Sequence, residues 1–228
     1  MAEGRRTRHL LRAACGLVGP AAFTTAWLVN GQRQPRYPVI DEHISGLAAL
    51  DAEHPFSMMT GFITLGTCSM VFATELWCLL ADGRRRPGLG PVLLGIGGAA
   101  AVVAGLLRRD AFLLSPPGRD PAYLQSWHND GHDLAAGVIY ATSVLAPLAM
   151  ARRFRRDPAW APLVPAAIAS SGASVVLMVV FATDVDRSYN GIVQRVMVTV
   201  PQAFMAALAV RALRPPSAAA TAPARRTG

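Results

Sequence analysis

Six stretches of the chain are almost free of charge, and the polar residues gather in short clusters between them. The stretches are residues 10–30 (interrupted by Arg12), 56–81 (by Glu75), 89–107, 134–151, 159–183 and 192–213 (by Arg195 and Arg211). Each is close to the roughly 20 residues that carry a helix across about 30 Å of hydrocarbon. A soluble domain of this length carries one such run, not six. The pattern therefore predicts an all-α integral membrane bundle of six transmembrane helices. Between the first two spans, Ile40, Ile44, Leu47 and Leu50 recur at helical spacing, with Asp41 as a cap and Pro55 as a stop. That predicts a short amphipathic helix lying on the outer face of the bundle. Small residues crowd two spans, Gly95, Gly97 and Gly98 in the third, and Ala167, Ser170, Ser171 and Gly172 in the fifth. Small side chains let helix backbones approach closely, so these two are expected to be the most buried helices.

The domain organisation follows. Residues 1–9 are a basic cytoplasmic N-terminus, 10–213 the transmembrane domain, and 214–228 a tail rich in Pro, Ala and Arg that is expected to be disordered. The first span contains Pro20 and no small-x-small cleavage site before Gln32, so it is expected to be retained as a helix.

Charge sets the orientation. All 22 basic side chains counted as Lys or Arg are arginine, and fifteen of them lie at the N-terminus, in 84–86, in 152–156 or beyond 210. Positive charge flanking a span holds that end in the cytoplasm, so both termini are expected there, in a cell membrane. Ten acidic residues and four of the five histidines fall on the other side. The net charge of +8 is distributed as topology signal and lacks the interleaved aromatics that stack bases, which argues against a nucleic-acid partner. Cys15, Cys68 and Cys78 all fall inside spans at spacings that match no metal motif.

Several local patterns, Gly19-Pro20 with Phe23, Tyr37-Pro38, Ile44-Ser45-Gly46-Leu47, Asp110, His128 with His132, and Gly191-Ile192-Val193-Gln194-Arg195, occur in an order that resembles a known family. It is the bacterial and archaeal membrane family called domain of unknown function 998. The resemblance runs from Gly16 to about Leu213. It implies a fold and a membrane location and no chemistry. The family pattern places an acidic residue after the loop serine, where this chain has Gly46.

Three groups of residues could carry chemistry. His128 and His132, four apart, would share one helix face and could offer both imidazoles to a divalent metal, with Asp110 or His43 as a further ligand. Arg195, placed inside the start of the sixth span, calls for a partner at membrane depth, and Asp110 and Asp184 are the candidate carboxylates. Glu75, alone in the second span, either reaches for the cytoplasmic interface or handles protons. Motifs for phosphate binding, nucleophile elbows and zinc proteases do not occur. The leading expectation is a membrane-embedded enzyme acting on a lipid-like or isoprenoid substrate, comparable with small membrane terpene cyclases. Asp110, His128, His132, Asp184 and Arg195 would be its polar residues, and Trp127, Tyr140, Tyr189 and Ser45 would line its pocket, with Phe112, Tyr123 and Trp27 nearby. The alternatives are a non-catalytic binding, sensing or assembly protein, and a metal carrier using His128 and His132. The expected partners are membrane lipid and a hydrophobic small molecule.

Overall fold

The computed structural model describes residues 2–81, 88–110, 126–183 and 189–214. The described residues are helical, without strands, and six helices are long and apolar enough to cross a membrane. They are α1 (Ala2–Arg33), α2 (Pro55–Leu80), α3 (Leu89–Leu106), α4 (Trp127–Phe154), α5 (Val164–Thr183) and α6 (Asn190–Leu213). This is a multi-pass membrane protein. The inner turn at 82–87, most of the loop between α3 and α4, Asp184 and the 215–228 tail lie outside the described residues.

Each helix packs on its neighbours in sequence, and α6 closes onto α1. The bundle is thus a ring of six helices around a central space. One end carries residues 34–54 and the start of α4 (the loop end). The other carries the arginines of α1 and of 152–156 (the basic end).

Close contacts build the ring where the small residues lie. A Cβ on Gly66 of α2 would run into the Gly98 carbonyl of α3, so these two backbones touch. The third span thus makes the close backbone approach its small residues allow, but α3 is no more buried than α2, α4 or α6. The fifth departs further from the expectation of burial. α5 packs on α4 and α6 at the rim of the ring, and buries only Ala167, Ser170, Ser171 and Ser174. Val175, Val176 and Val179 face outward, as suits contact with lipid tails.

Neighbouring side chains satisfy the helix ends, whose terminal amides and carbonyls have no intrahelical partner. His132 Nδ1 lies 2.9 Å from the carbonyls of Ala104 and Leu107 at the end of α3. Arg153 donates to the Leu80 carbonyl that ends α2. Asn30, near the end of α1, accepts from Ser57 in the first turn of α2.

The first loop also departs from expectation. It forms a five-residue 3₁₀ turn, Ile44–Ala48, whose residues are all buried between α1, α2 and α6. Ile44 and Leu47 point inward as the spacing predicts, but Ile40 and Leu50 are exposed. A longer helix is not needed here, because long side chains take the loop's backbone groups one at a time. Arg195 holds the carbonyls of Val39 and Glu42, Arg108 those of Ala48 and Ala49, and Gln194 the Ile44 amide. Pro55, read as a stop, is also the first residue of α2, where its missing amide costs nothing.

Candidate functional site

The ring encloses a cavity of about 410 Å³. Its wall is mostly apolar: Phe23 and Phe62 on one side, Ile139 and Ala146 on another, Met197 and Val198 on a third. Its floor is Met150, Met205 and Leu208, which join a buried cluster with Phe72, Leu76 and Phe154 at the basic end. Pro147 of α4 and Pro201 of α6 both line the space. Each proline removes a ladder hydrogen bond, which loosens the carbonyls of Ser143 and Met197, and these residues border the cavity too. The Gln202 side chain lies at the same depth, and its Oε1 is 3.5 Å from the Thr24 hydroxyl.

A polar cap covers the loop end. Arg109 Nη1 donates to His43 Nδ1 at 3.2 Å and to Ser45 Oγ at 3.3 Å, while its Nε lies 3.9 Å from the Asp133 carboxylate. Asp133 also accepts from Asn129 at 3.0 Å. Opposite, Gln194 accepts from the Ile44 amide at 2.7 Å and donates to the Tyr140 hydroxyl at 3.0 Å. Phe181, the contribution of α5 among the described residues, packs against His43 and Tyr140.

The residues singled out from the sequence separate into two sets. His132, Tyr140 and Ser45 reach the cavity. His132 is buried, and because carbonyls only accept, its Nδ1 carries the proton. In the neutral ring Nε2 is then an acceptor, with Phe62 against the ring's edge. His128 shares the helix but is exposed and stacked on Trp127, itself 69 % exposed. The two imidazoles sit in different surroundings, and no group of three or more metal-ligating side chains occurs among the described residues. Tyr189 is half-exposed at the start of α6, away from the cavity.

Asp110 stands outside the cavity. Its two oxygens accept from the Ser126 amide and hydroxyl, both at 2.7 Å, and Ser126 caps α4 by accepting from the Asn129 amide. Arg195 is buried but takes no carboxylate partner from Asp110, contrary to the sequence reading. Its guanidinium donates to the carbonyls of Val39, Glu42 and Gly191 and to the Tyr37 hydroxyl, with Trp27 and Tyr37 rings alongside. Its charge is spread over backbone dipoles and π-faces, which suits an arginine better than one point contact. Asp184 lies outside the described residues, as do Phe112 and Tyr123.

Glu75 does not reach for the interface. It is buried, with His9 Nδ1 2.7 Å from its carboxylate, because α1 runs helically from Ala2 and carries His9 alongside α2.

Sequence reasoning did not assign Arg109, Asp133, Gln194 or Gln202 to a site. Arg109 and Asp133 stand next to residues that it did select, Asp110 and His132. A signal existed for the glutamines, since uncharged amides inside an apolar span need partners from other helices.

The sequence pattern of the family described as Protein of unknown function (DUF998) matches residues 17–211, so the chain belongs to that family. Neither the curated proteins nor the solved structures contain a match.

Proposed function

We propose that this DUF998 protein holds one lipid-like or isoprenoid molecule inside its helix ring, with the tail in the apolar chamber and the head beneath the polar cap. The observation that supports this most is the composition of the cavity: mostly apolar from Phe62 to Leu208, broken by Ser69, Thr142, Ser143 and Gln202, with its charged groups, Arg109 and Asp133, gathered at one end. A volume of about 410 Å³ falls within the roughly 300–1,000 Å³ of sites that enclose small ligands. The arginine distribution supports a cell-membrane orientation with both termini in the cytoplasm and the capped end outside.

Acid–base catalysis on the same ligand, as in a terpene cyclase, is a second reading. It is favoured by the neighbouring pair His132 and Asp133 on the cavity wall. The Asp133 carboxylate is half-exposed and shared with Arg109 and Asn129, whereas alkene protonation requires a proton donor enclosed in an apolar pocket. Binding is therefore the better-supported function.

The test is extraction and mass spectrometry of the full chain purified in mild detergent. One apolar compound at near-stoichiometric yield is expected. Recovery of only the bulk lipid mixture, in bulk proportions, would sink the proposal. An added isoprenoid returned chemically changed, with the change lost in Asp133→Asn, would establish the catalytic reading.

A further inference from the structure

The cap carries a chemical preference that can be read from its hydrogen bonds, and this reading rests on the binding role proposed above. Tyr140 Oη accepts from Gln194, and no acceptor for its own O–H occurs among the described residues. Ser45 Oγ accepts from Arg109, and its O–H is likewise uncommitted. Gln194 spends its oxygen on the Ile44 amide and one N–H on Tyr140, which leaves a second N–H. The three groups come from α4, the 3₁₀ turn and α6, and all line the cavity. They are joined in one chain: Tyr140 to Gln194, Gln194 to Ile44, and Ile44 to Ser45 by the peptide bond. A buried donor without an acceptor is costly, and a head oxygen is what this cluster lacks.

The remaining polar groups fit the same occupant. Arg109 adds a positive edge to the cap, facing His43 and Ser45. On the acceptor side are His132 Nε2, on the α3 side of the chamber, and the Asp133 carboxylate, already shared by Arg109 and Asn129. A cationic or donor-only head would leave the Tyr140, Ser45 and Gln194 donors unmet.

We infer that the occupant is a single-chain molecule whose head presents a carbonyl oxygen to Tyr140, Ser45 and Gln194, with its tail directed toward Met150 and Leu208. The chain itself could be isoprenoid or acyl. The head chemistry is common to both, and the experiment separates the sources.

Binding would be measured on the full-length protein in nanodiscs with two matched series. The isoprenoid series is farnesylacetone, farnesene and farnesylamine. The acyl series is methyl palmitate, hexadecane and hexadecylamine. The ketone, the ester or both should bind about 25-fold more tightly than the hydrocarbon and the amine of the same series, since each donor–carbonyl bond contributes roughly a factor of five and a carbonyl oxygen accepts two such bonds. The series with the larger difference identifies the chain. Tyr140→Phe and Ser45→Ala should each reduce carbonyl binding about fivefold and leave hydrocarbon binding unchanged. Equal affinity across head groups, or tightest binding of the amines, would overturn this inference while leaving the chamber's binding role intact. Absence of saturable binding by every compound would overturn both. The head-group comparison on the unmodified chain decides the matter even if a variant fails to fold.

Discussion

Arg195 Nη2 donates to the Tyr37 hydroxyl across 2.6 Å, and the same hydroxyl lies 2.9 Å from the His43 carbonyl. Through this pair the start of α6 grips the first loop. The loop in turn places His43 and Ser45 over the cavity, so a buried cation with no carboxylate partner among the described residues fixes the cap's position. The arginine, placed near a site by its sequence position, supports the site through the backbone it holds.

Replacing Arg195 with Leu should therefore destabilise the protein by about 3 kcal/mol or more, because several loop carbonyls lose a charged donor at once. Arg195→Lys should recover only part of that, since a point charge cannot span the carbonyls of Val39 and Gly191 and the Tyr37 hydroxyl together. Thermal unfolding in detergent measures both. A leucine variant as stable as the parent would remove this structural role.

Tyr37 makes the same contact sensitive to alkali. Burial pushes its phenol up to about 12, outweighing the downward pull of the adjacent Arg195. The folded state holds this proton more tightly than the unfolded chain, whose phenol ionises near pH 10. The contribution is complete below pH 10 and declines as pH rises toward 12, by about 1.4 kcal/mol per unit. The melting temperature of the parent should thus fall more steeply than that of Tyr37→Phe over this range. Parallel curves would assign the alkaline loss to other groups.

The contrast between Arg195 and Tyr140 shows what the sequence could reveal. Span length and charge placement are properties of consecutive residues, so all six helices were legible. The family resemblance came from short patterns around the same spans. The cap depends on which face each helix turns inward and on which elements meet across the ring. His132 and His128 lie four apart in sequence, yet one is sealed against α3 and the other faces outward. Extension of α4 to Trp127 was hidden because its first turn is polar, and only Asp110 and Ser126 together cap it.

Asp110 should behave as a capping residue. Asp110→Ala removes two charge-assisted bonds to Ser126, each contributing roughly 1.5–3 kcal/mol, and should lower the melting temperature clearly. Ligand retained per folded molecule should stay near the parental level. Tyr140→Phe should show the reverse, with near-parental stability and weakened carbonyl binding. An Asp110→Ala protein of parental stability that loses ligand would place Asp110 in the binding machinery instead.

Two glycines separate the ring's integrity from its contents. A methyl group on Gly66 would run into the Gly98 carbonyl, and backbone cannot yield as a flexible side chain does. Gly66→Ala should therefore force α2 and α3 apart and cost about 1–3 kcal/mol or more as overpacking. Gly137 also lies on a helix and borders the cavity, but a Cβ there would meet nothing within 4 Å. Gly137→Ala should be tolerated and even mildly stabilising, by up to about 1 kcal/mol, since alanine has the higher helix propensity. Gly137→Trp can then direct its ring into the chamber without breaking a helix contact. The expected outcome is a folded protein from which the bound compound has been expelled. Equal ligand content in Gly137→Trp and parent, at equal stability, would show that the compound lies elsewhere.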